Sequence, residues 1–241
     1  MKLRVFTYTN IGGQIVNEDC LDYYEDDDKS IFVLADGLGS HGDGELASGF
    51  LVRSILEDLK KLPEIGVAEL KDVFYHANKE LHLKRRELET QGMLTTAVAL
   101  AVCQDRAVWG HLGDSRLYYL TDNEIAMITS DHSVTYKKYL AGEINYRDIN
   151  TDEDRSSLLG AFGNIERYQP EFLETPQILK EGDAFLLCSD GFWEFVYNEE
   201  ILIDYLKASS PKEWADYMLL RHIKRTKPSN DNYSLITVFT E

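Results

Sequence analysis

Between Thr95 and Ile128 the apolar residues recur with a period of two, in four short runs: Thr95 to Val102, Arg106 to Leu112, Arg116 to Leu120 and Glu124 to Ile128. Side chains along a strand point alternately to opposite faces, so each run reads as a strand. The connections Gln104-Asp105 and Thr121-Asp122-Asn123 are too short to hold a crossover helix, so the strands they join must be antiparallel neighbours. Helical periodicity is kept to separate blocks. Ala47, Leu51, Ile55, Leu59 and Leu62 make one apolar face that Pro63 stops, and Leu70, Phe74, Ala77, Leu81 and Leu88 make a second. Further strands are expected at Leu3 to Thr9, Cys20 to Tyr24, Ser30 to Asp36, Tyr168 to Glu174, Ala184 to Ser189 and Tyr233 to Thr240. Helices are expected at Ser133 to Ala141, Asn198 to Leu206 and Pro211 to Arg225, with Gly142 to Ser157 polar and weakly patterned. Blocks of this kind predict an α+β fold, antiparallel sheets covered by helices.

No repeat, low-complexity tract or linker divides the 241 residues, so one domain spanning 1–241 is expected. The net charge of -17 argues against a nucleic-acid or anionic-membrane binder, because phosphate backbones would be repelled. Cys20, Cys103 and Cys188 are odd in number and scattered, and read as reduced thiols. The opening Met1-Lys2-Leu3-Arg4-Val5-Phe6 does not read as a signal peptide, and no later run is long enough to span a membrane, so a cytoplasmic protein is expected.

Chemistry gathers at a repeated pattern. Ser30-Ile31-Phe32-Val33-Leu34-Ala35-Asp36-Gly37 is a dry strand that carries an acid and a glycine at its end, and Ala184-Phe185-Leu186-Leu187-Cys188-Ser189-Asp190-Gly191 does the same. More acids stand in loops: Glu18-Asp19, Asp114, Asp131 and Asp231. Any one of them is ordinary for a turn. Gathered together they would repel, by about 1 kcal/mol per close pair in water and several times that inside a protein. Hard cations would relieve this, and oxygen ligands without His or Cys point to Mg²⁺ or Mn²⁺.

Three other motifs carry less. Gly37-Leu38-Gly39-Ser40-His41-Gly42 matches a dinucleotide-binding loop, but the β-α alternation of that fold is missing. Asp26-Asp27-Asp28-Lys29-Ser30 resembles an aspartyl-phosphate loop, yet it precedes its strand and reads as a solvated turn. No cysteine has an arginine six positions on, which argues against a cysteine phosphatase loop. The basic stretches Lys84-Arg85-Arg86 and Arg221-His222-Ile223-Lys224-Arg225 with Lys227 read as solvated helix faces without a site.

Taken in order, Asn17-Glu18-Asp19, Val33 to Gly39, Gly44-Glu45-Leu46-Ala47-Ser48, Thr95-Thr96, Gly113-Asp114-Ser115-Arg116, Ser130-Asp131-His132-Ser133, Gly182-Asp183 through Gly191, and Asp231-Asn232 resemble the metal-dependent protein phosphatases, the protein phosphatase 2C family, in its compact bacterial branch. The resemblance runs from Asn10 to Val238. It implies a four-layer α-β-β-α sandwich, two central antiparallel sheets flanked by antiparallel helix pairs, with a flap at about 133–162. It further implies that Asp36 bridges two metal ions, with Glu18 and the Gly37 carbonyl on one and Asp190 and Asp231 on the other. Asp19 would hold a metal-bound water, and Asp114 with Asp190 would match a third metal position. The implied reaction is hydrolysis of phosphoserine and phosphothreonine on proteins by attack of a metal-bridging water. The implied partners are phosphoproteins and a cognate serine/threonine kinase, and a monomer is expected.

The sequence departs from that family at two places. Gln14 stands where an arginine usually grips the substrate phosphate, and a neutral amide cannot replace the charge. Leu38 stands where animal members often carry a histidine proposed as general acid; His41 is close by in sequence, in a loop between Ser40 and Gly42. Gln14 keeps a rival open, a catalytically silent phosphoprotein-binding regulator of the same fold. The presence of Glu18, Asp36, Asp190 and Asp231 argues for the enzyme.

Overall fold

The computed structural model describes residues 1–38, 43–90 and 92–241. His41, with the rest of the glycine-rich match over residues 39–42, lies outside the described residues. The chain runs β1 (Leu3–Asn10), β2 (Asp19–Glu25), β3 (Lys29–Leu38), α1 (Asp43–Lys61), α2 (Val67–Glu87), β4 (Leu94–Thr95), β5 (Ala97–Cys103), β6 (Arg106–Leu112), β7 (Arg116–Thr121) and β8 (Glu124–Ile128). It continues through α3 (Val134–Leu140), a 3₁₀ turn (Tyr146–Asn150), β9 (Glu171–Phe172), β10 (Gln177–Ile178), β11 (Ala184–Cys188), α4 (Asp190–Trp193), α5 (Asn198–Lys207), α6 (Pro211–Arg225) and β12 (Tyr233–Thr240).

The strands form two antiparallel sheets. One has the order β1-β12-β11-β7-β8 and the other β10-β6-β5-β3-β2, with β4 added to β3 and β9 to β6. Period-two alternation sorts their side chains among three cores. In β3, Phe32 and Leu34 face the gap between the sheets, where they meet Leu117, Phe185, Leu187, Ile236 and Val238. Ile31, Val33 and Ala35 face the other way, onto Leu51, Ile55 and Leu59 of α1 and Phe74 and Ala77 of α2. Small residues Ala97, Ala99 and Ala101 on β5 leave room for those helices. On the second sheet, Leu186, Cys188 and Leu235 are covered by Ile201 of α5 and Trp214 and Met218 of α6. Helices, sheet, sheet and helices thus stack in four layers, as the resemblance implied.

Local detail departs from the sequence reading in places. The strand expected from Tyr168 to Glu174 shortens to β9, and β4 and β10 are two-residue additions whose pairing comes from tertiary neighbours. The weakly patterned stretch holds the 3₁₀ turn, where Tyr146 packs edge-on against Tyr139. Gly37 does not end its strand. β3 continues to Leu38, and the glycine is needed because a Cβ there would lie 2.2 Å from the Gly44 carbonyl oxygen. The turn that holds Asp114 joins two sheets: Gly113-Asp114-Ser115 is the corner where the chain leaves one sheet for the other.

Candidate metal centre and active site

Hydrogen bonding at one end of the sandwich brings the acids of distant segments together. Asp19 opens β2 and pairs in register with Asp36 on β3. The backbone of Asp36 is fixed from both sides: its N–H donates to Thr96 Oγ1 at 3.2 Å, and its carbonyl accepts from Thr96 N–H at 2.8 Å and Thr95 Oγ1 at 2.7 Å. Asp190 is the first residue of α4, and its Oδ1 accepts the N–H of Gly191 at 2.6 Å. Trp193, at the end of the same helix, donates its indole N–H to the Asp114 carbonyl at 2.9 Å. Carboxylate oxygens of Asp36, Asp114 and Asp190 consequently lie within 4.8 Å of one another, Asp114 buried and the other two half-buried.

Glu18 and Asp231 flank this group on loops stapled by Asn232. The Asn232 side chain accepts Glu18 N–H at 2.8 Å and donates to the carbonyls of Ile11 at 2.8 Å and Val16 at 3.1 Å. The Glu18 carbonyl accepts from Ser48 Oγ at 2.6 Å and Gly37 N–H at 3.0 Å, which ties the same loop to α1 and β3. Asp231 is exposed at the rim, its Oδ1 accepting Asn232 N–H at 2.8 Å. Gln14 is exposed on a wider cleft that also reaches Asp190 and Asp231.

Electrostatics agree with the crowding. Desolvation, then the charges of Asp190, Asp19 and Asp114, push the Asp36 carboxyl well above its ordinary range. Burial and Asp190 do the same to Asp114, and burial and Asp231 raise Asp190. Burial pushes Asp19 up to about 7 even though Ser189 donates to its Oδ2 at 2.8 Å, and its Oδ1 is buried with no partner. Glu18 is raised by burial first, with Asp231 adding to it. Protein groups alone leave this charge uncompensated. An all-oxygen set with an orphaned buried oxygen beside it fits hard divalent cations such as Mg²⁺ or Mn²⁺.

Asp131, read from sequence as one more acid of the set, belongs elsewhere. Its two oxygens take Arg116 Nε at 2.7 Å and Nη2 at 2.6 Å, and the pair is buried and neutral overall. A second grouping, His111, His132 and Glu171, has metal-capable side chains. Gly113 N–H donates to His132 Nδ1 at 3.0 Å, so in the neutral ring the proton sits on Nε2, which faces Glu171 at 3.4 Å. A protonated nitrogen cannot ligate, and the trio acts as a brace for the Gly113 corner that carries Asp114.

Thr95, Thr96, Ser48, Ser189 and Asn232 support the acids through hydrogen bonds that no sequence motif announces. Ser189, Asn232 and Ser48 carry a signal as small hydrogen-bonding side chains directly beside Asp190, Asp231 and Gly49, whereas Thr95 and Thr96 stand next to neither an acid nor a glycine.

Residues 8–218 match the protein phosphatase 2C family. The chain belongs to that family. It is therefore a phosphoprotein phosphatase of the metal-dependent class. A serine/threonine phosphatase of Listeria welshimeri is 30% identical over 230 residues, covering 92% of this chain and 89% of the relative. Among solved structures, the serine/threonine phosphatase Stp1 from Staphylococcus aureus superposes with a TM-score of 0.88 at 26% identity, covering 100% of this chain and 96% of that one. The catalytic domain of the phosphatase PstP, in complex with two manganese ions, gives 0.84 at 26% identity, covering 98% and 97%. Similarity over nearly the whole of the Listeria and Staphylococcus phosphatases and of the PstP catalytic domain carries the four-layer fold and the enzyme class together.

Proposed function

We propose that this protein phosphatase 2C member hydrolyses phosphoserine and phosphothreonine esters of proteins at the Asp36–Asp114–Asp190 cluster. The observation that carries this reading is the convergence of those carboxylates within 4.8 Å, next to a cleft wide enough for a phosphorylated side chain. Asp36 and Asp190 would be the central holders of two Mg²⁺ or Mn²⁺ ions, with Glu18 and the Gly37 carbonyl on one side and Asp231 on the other. Asp114 would serve a third ion together with Asp190. The two-manganese complex of the PstP relative supports this ligand chemistry. When bound, such ions neutralise charge growing on the phosphoryl oxygens and lower the pKa of a water poised for attack.

The chain's own groups do the rest. Asn232 and Ser48 hold the Glu18 loop, Thr95 and Thr96 fix Asp36, and Asp19 offers an unpartnered Oδ1 to accept a proton from water beside the cluster. Residues 133–162 form a flap of the single catalytic domain 1–241, and its Asn150, Thr151, Arg155 and Ser156 line the cleft. No helix among the described residues is long and apolar enough to cross a membrane, and the three cysteines are free, which supports a cytoplasmic site of action. A monomer acting opposite a serine/threonine kinase completes the proposal.

The test is release of phosphate from phosphothreonine and phosphoserine peptides with added Mn²⁺. Turnover that vanishes on exhaustive chelation and returns with Mn²⁺ is expected. Full turnover after chelation would refute the metal-dependent reading. Absence of any turnover, on peptides or on a small chromogenic phosphate ester, would favour the silent phosphoprotein-binding regulator instead.

A further inference from the structure

The cleft beside the acids has a volume of about 550 Å³, and Asp190, Asp231, Gln14 and Glu194 all line it. A phosphorylated side chain entering it brings close to two negative charges near neutral pH. Acids on the wall repel that charge, so recognition at the cleft mouth calls for a cation whose charge is not already spent on a protein carboxylate.

Three basic residues line the cleft: Arg155, Arg225 and Lys227. Arg225 is committed, its Nη1 donating to the Phe195 carbonyl at 2.9 Å and to Glu200 Oε2 at 2.6 Å, and its Nη2 to Glu200 Oε1 at 2.6 Å. Arg155 stands 3.7 Å from Glu194 Oε1. Lys227 has no ion pair among the described residues. It was grouped from sequence with the charges of a helix face, but α6 ends at Arg225, and Thr226 is already extended. Lys227 instead begins a turn closed by Asn230 N–H donating to its carbonyl at 3.0 Å. That turn is locked to the Gln14 loop. Gly13 N–H donates to the Asn230 carbonyl at 2.8 Å, and a Cβ on Gly13 would lie 2.1 Å from the Pro228 oxygen. The neutral amide of Gln14 and the unpaired ammonium of Lys227 therefore belong to two loops held against each other at one rim.

We propose that Lys227 is the side chain that binds the phosphoryl oxygens of the substrate, supplying from the 227–230 turn the positive charge that Gln14 lacks. This rests on the phosphatase reading above. It makes Lys227 a substrate-binding residue, with its effect on affinity and little on the chemical step.

The experiment compares the full chain with Lys227→Gln, Lys227→Arg and Arg155→Gln in Mn²⁺. It measures kcat and KM on a phosphothreonine peptide, the inhibition constant of inorganic phosphate, and Tm as a control for folding. Lys227→Gln should raise KM and the phosphate inhibition constant by about tenfold while kcat stays within about twofold, and Lys227→Arg should recover most of the loss. Adding Gln14→Arg to Lys227→Gln should restore KM. Unchanged KM and phosphate inhibition in Lys227→Gln would overturn the proposal. So would a fall in kcat at constant KM, or a KM effect seen in Arg155→Gln alone. A wild-type chain that hydrolyses nothing would instead remove the phosphatase reading, and this proposal with it.

Discussion

Removing the carboxylate of Asp131 should cost this protein far more than removing its ion pair as a unit. Arg116 and Asp131 are joined by two hydrogen bonds of 2.7 and 2.6 Å, and their side chains are 3% and 1% exposed. The guanidinium also lies 3.4 Å from the centroid of the Trp193 ring and donates to the Tyr118 hydroxyl at 3.3 Å. In Asp131→Asn that guanidinium stays buried with its charge unanswered. Unit charges about 4 Å apart at an effective dielectric near 20 interact by about 4 kcal/mol. Breaking a buried pair from one side costs about 3–5 kcal/mol by mutational experience. The two routes agree, so Asp131→Asn should lose about 4 kcal/mol in urea unfolding, with the slope unchanged. Arg116→Met combined with Asp131→Leu removes both charges and should lose much less than Arg116→Met or Asp131→Leu alone, leaving a large coupling in that double-mutant cycle. A loss below about 1 kcal/mol in Asp131→Asn, or a double variant no more stable than the single, would refute the argument.

Two further outcomes follow from the acids and from the histidine pair. Asp36→Asn, Asp190→Ala and Asp231→Ala should each lose most turnover, and Asp36→Asn should raise Tm in chelator because mutual repulsion is relieved; calorimetry with and without Mn²⁺ checks both. Burial, with His132 stacked 4.7 Å away, pushes His111 down to about 4 from an ordinary value of 6.5. Between those values the unfolded chain binds more protons, so stability should be full above pH 6.5 and fall as pH drops toward 4, by about 3 kcal/mol in all, and His111→Asn should flatten that limb of a urea-midpoint titration.

Most of the architecture was legible because period-two alternation is a direct record of which face is dry. Phe32 and Leu34 against Ile31 and Val33 divide the two cores as their spacing implies. Asp36 and Asp190 were legible for a related reason, as charges attached to runs that otherwise exclude water. Two-residue strands such as β4 and β10 carry no pattern of their own and exist only through partners distant in the chain. Asp131 looked like its fellow acids because nothing local announces that Arg116 lies across a hairpin from it. Lys227 was misplaced because the charged rhythm of α6 runs past the helix end, although Pro228 marks the stop.

The register of β12 has a consequence for what truncation would do. This last strand lies between β1 and β11, pairing residue by residue with both, and Asn232, just before it, clasps the Glu18 loop. A chain that stops before Asp231 lacks the strand that joins β1 to β11, β7 and β8, and its Glu18 loop lacks the Asn232 side chain that holds it. Both the β1 edge of the first sheet and the Glu18 loop therefore hang on the last stretch of chain before and along β12, so loss of that segment should loosen two distant parts of the molecule at once.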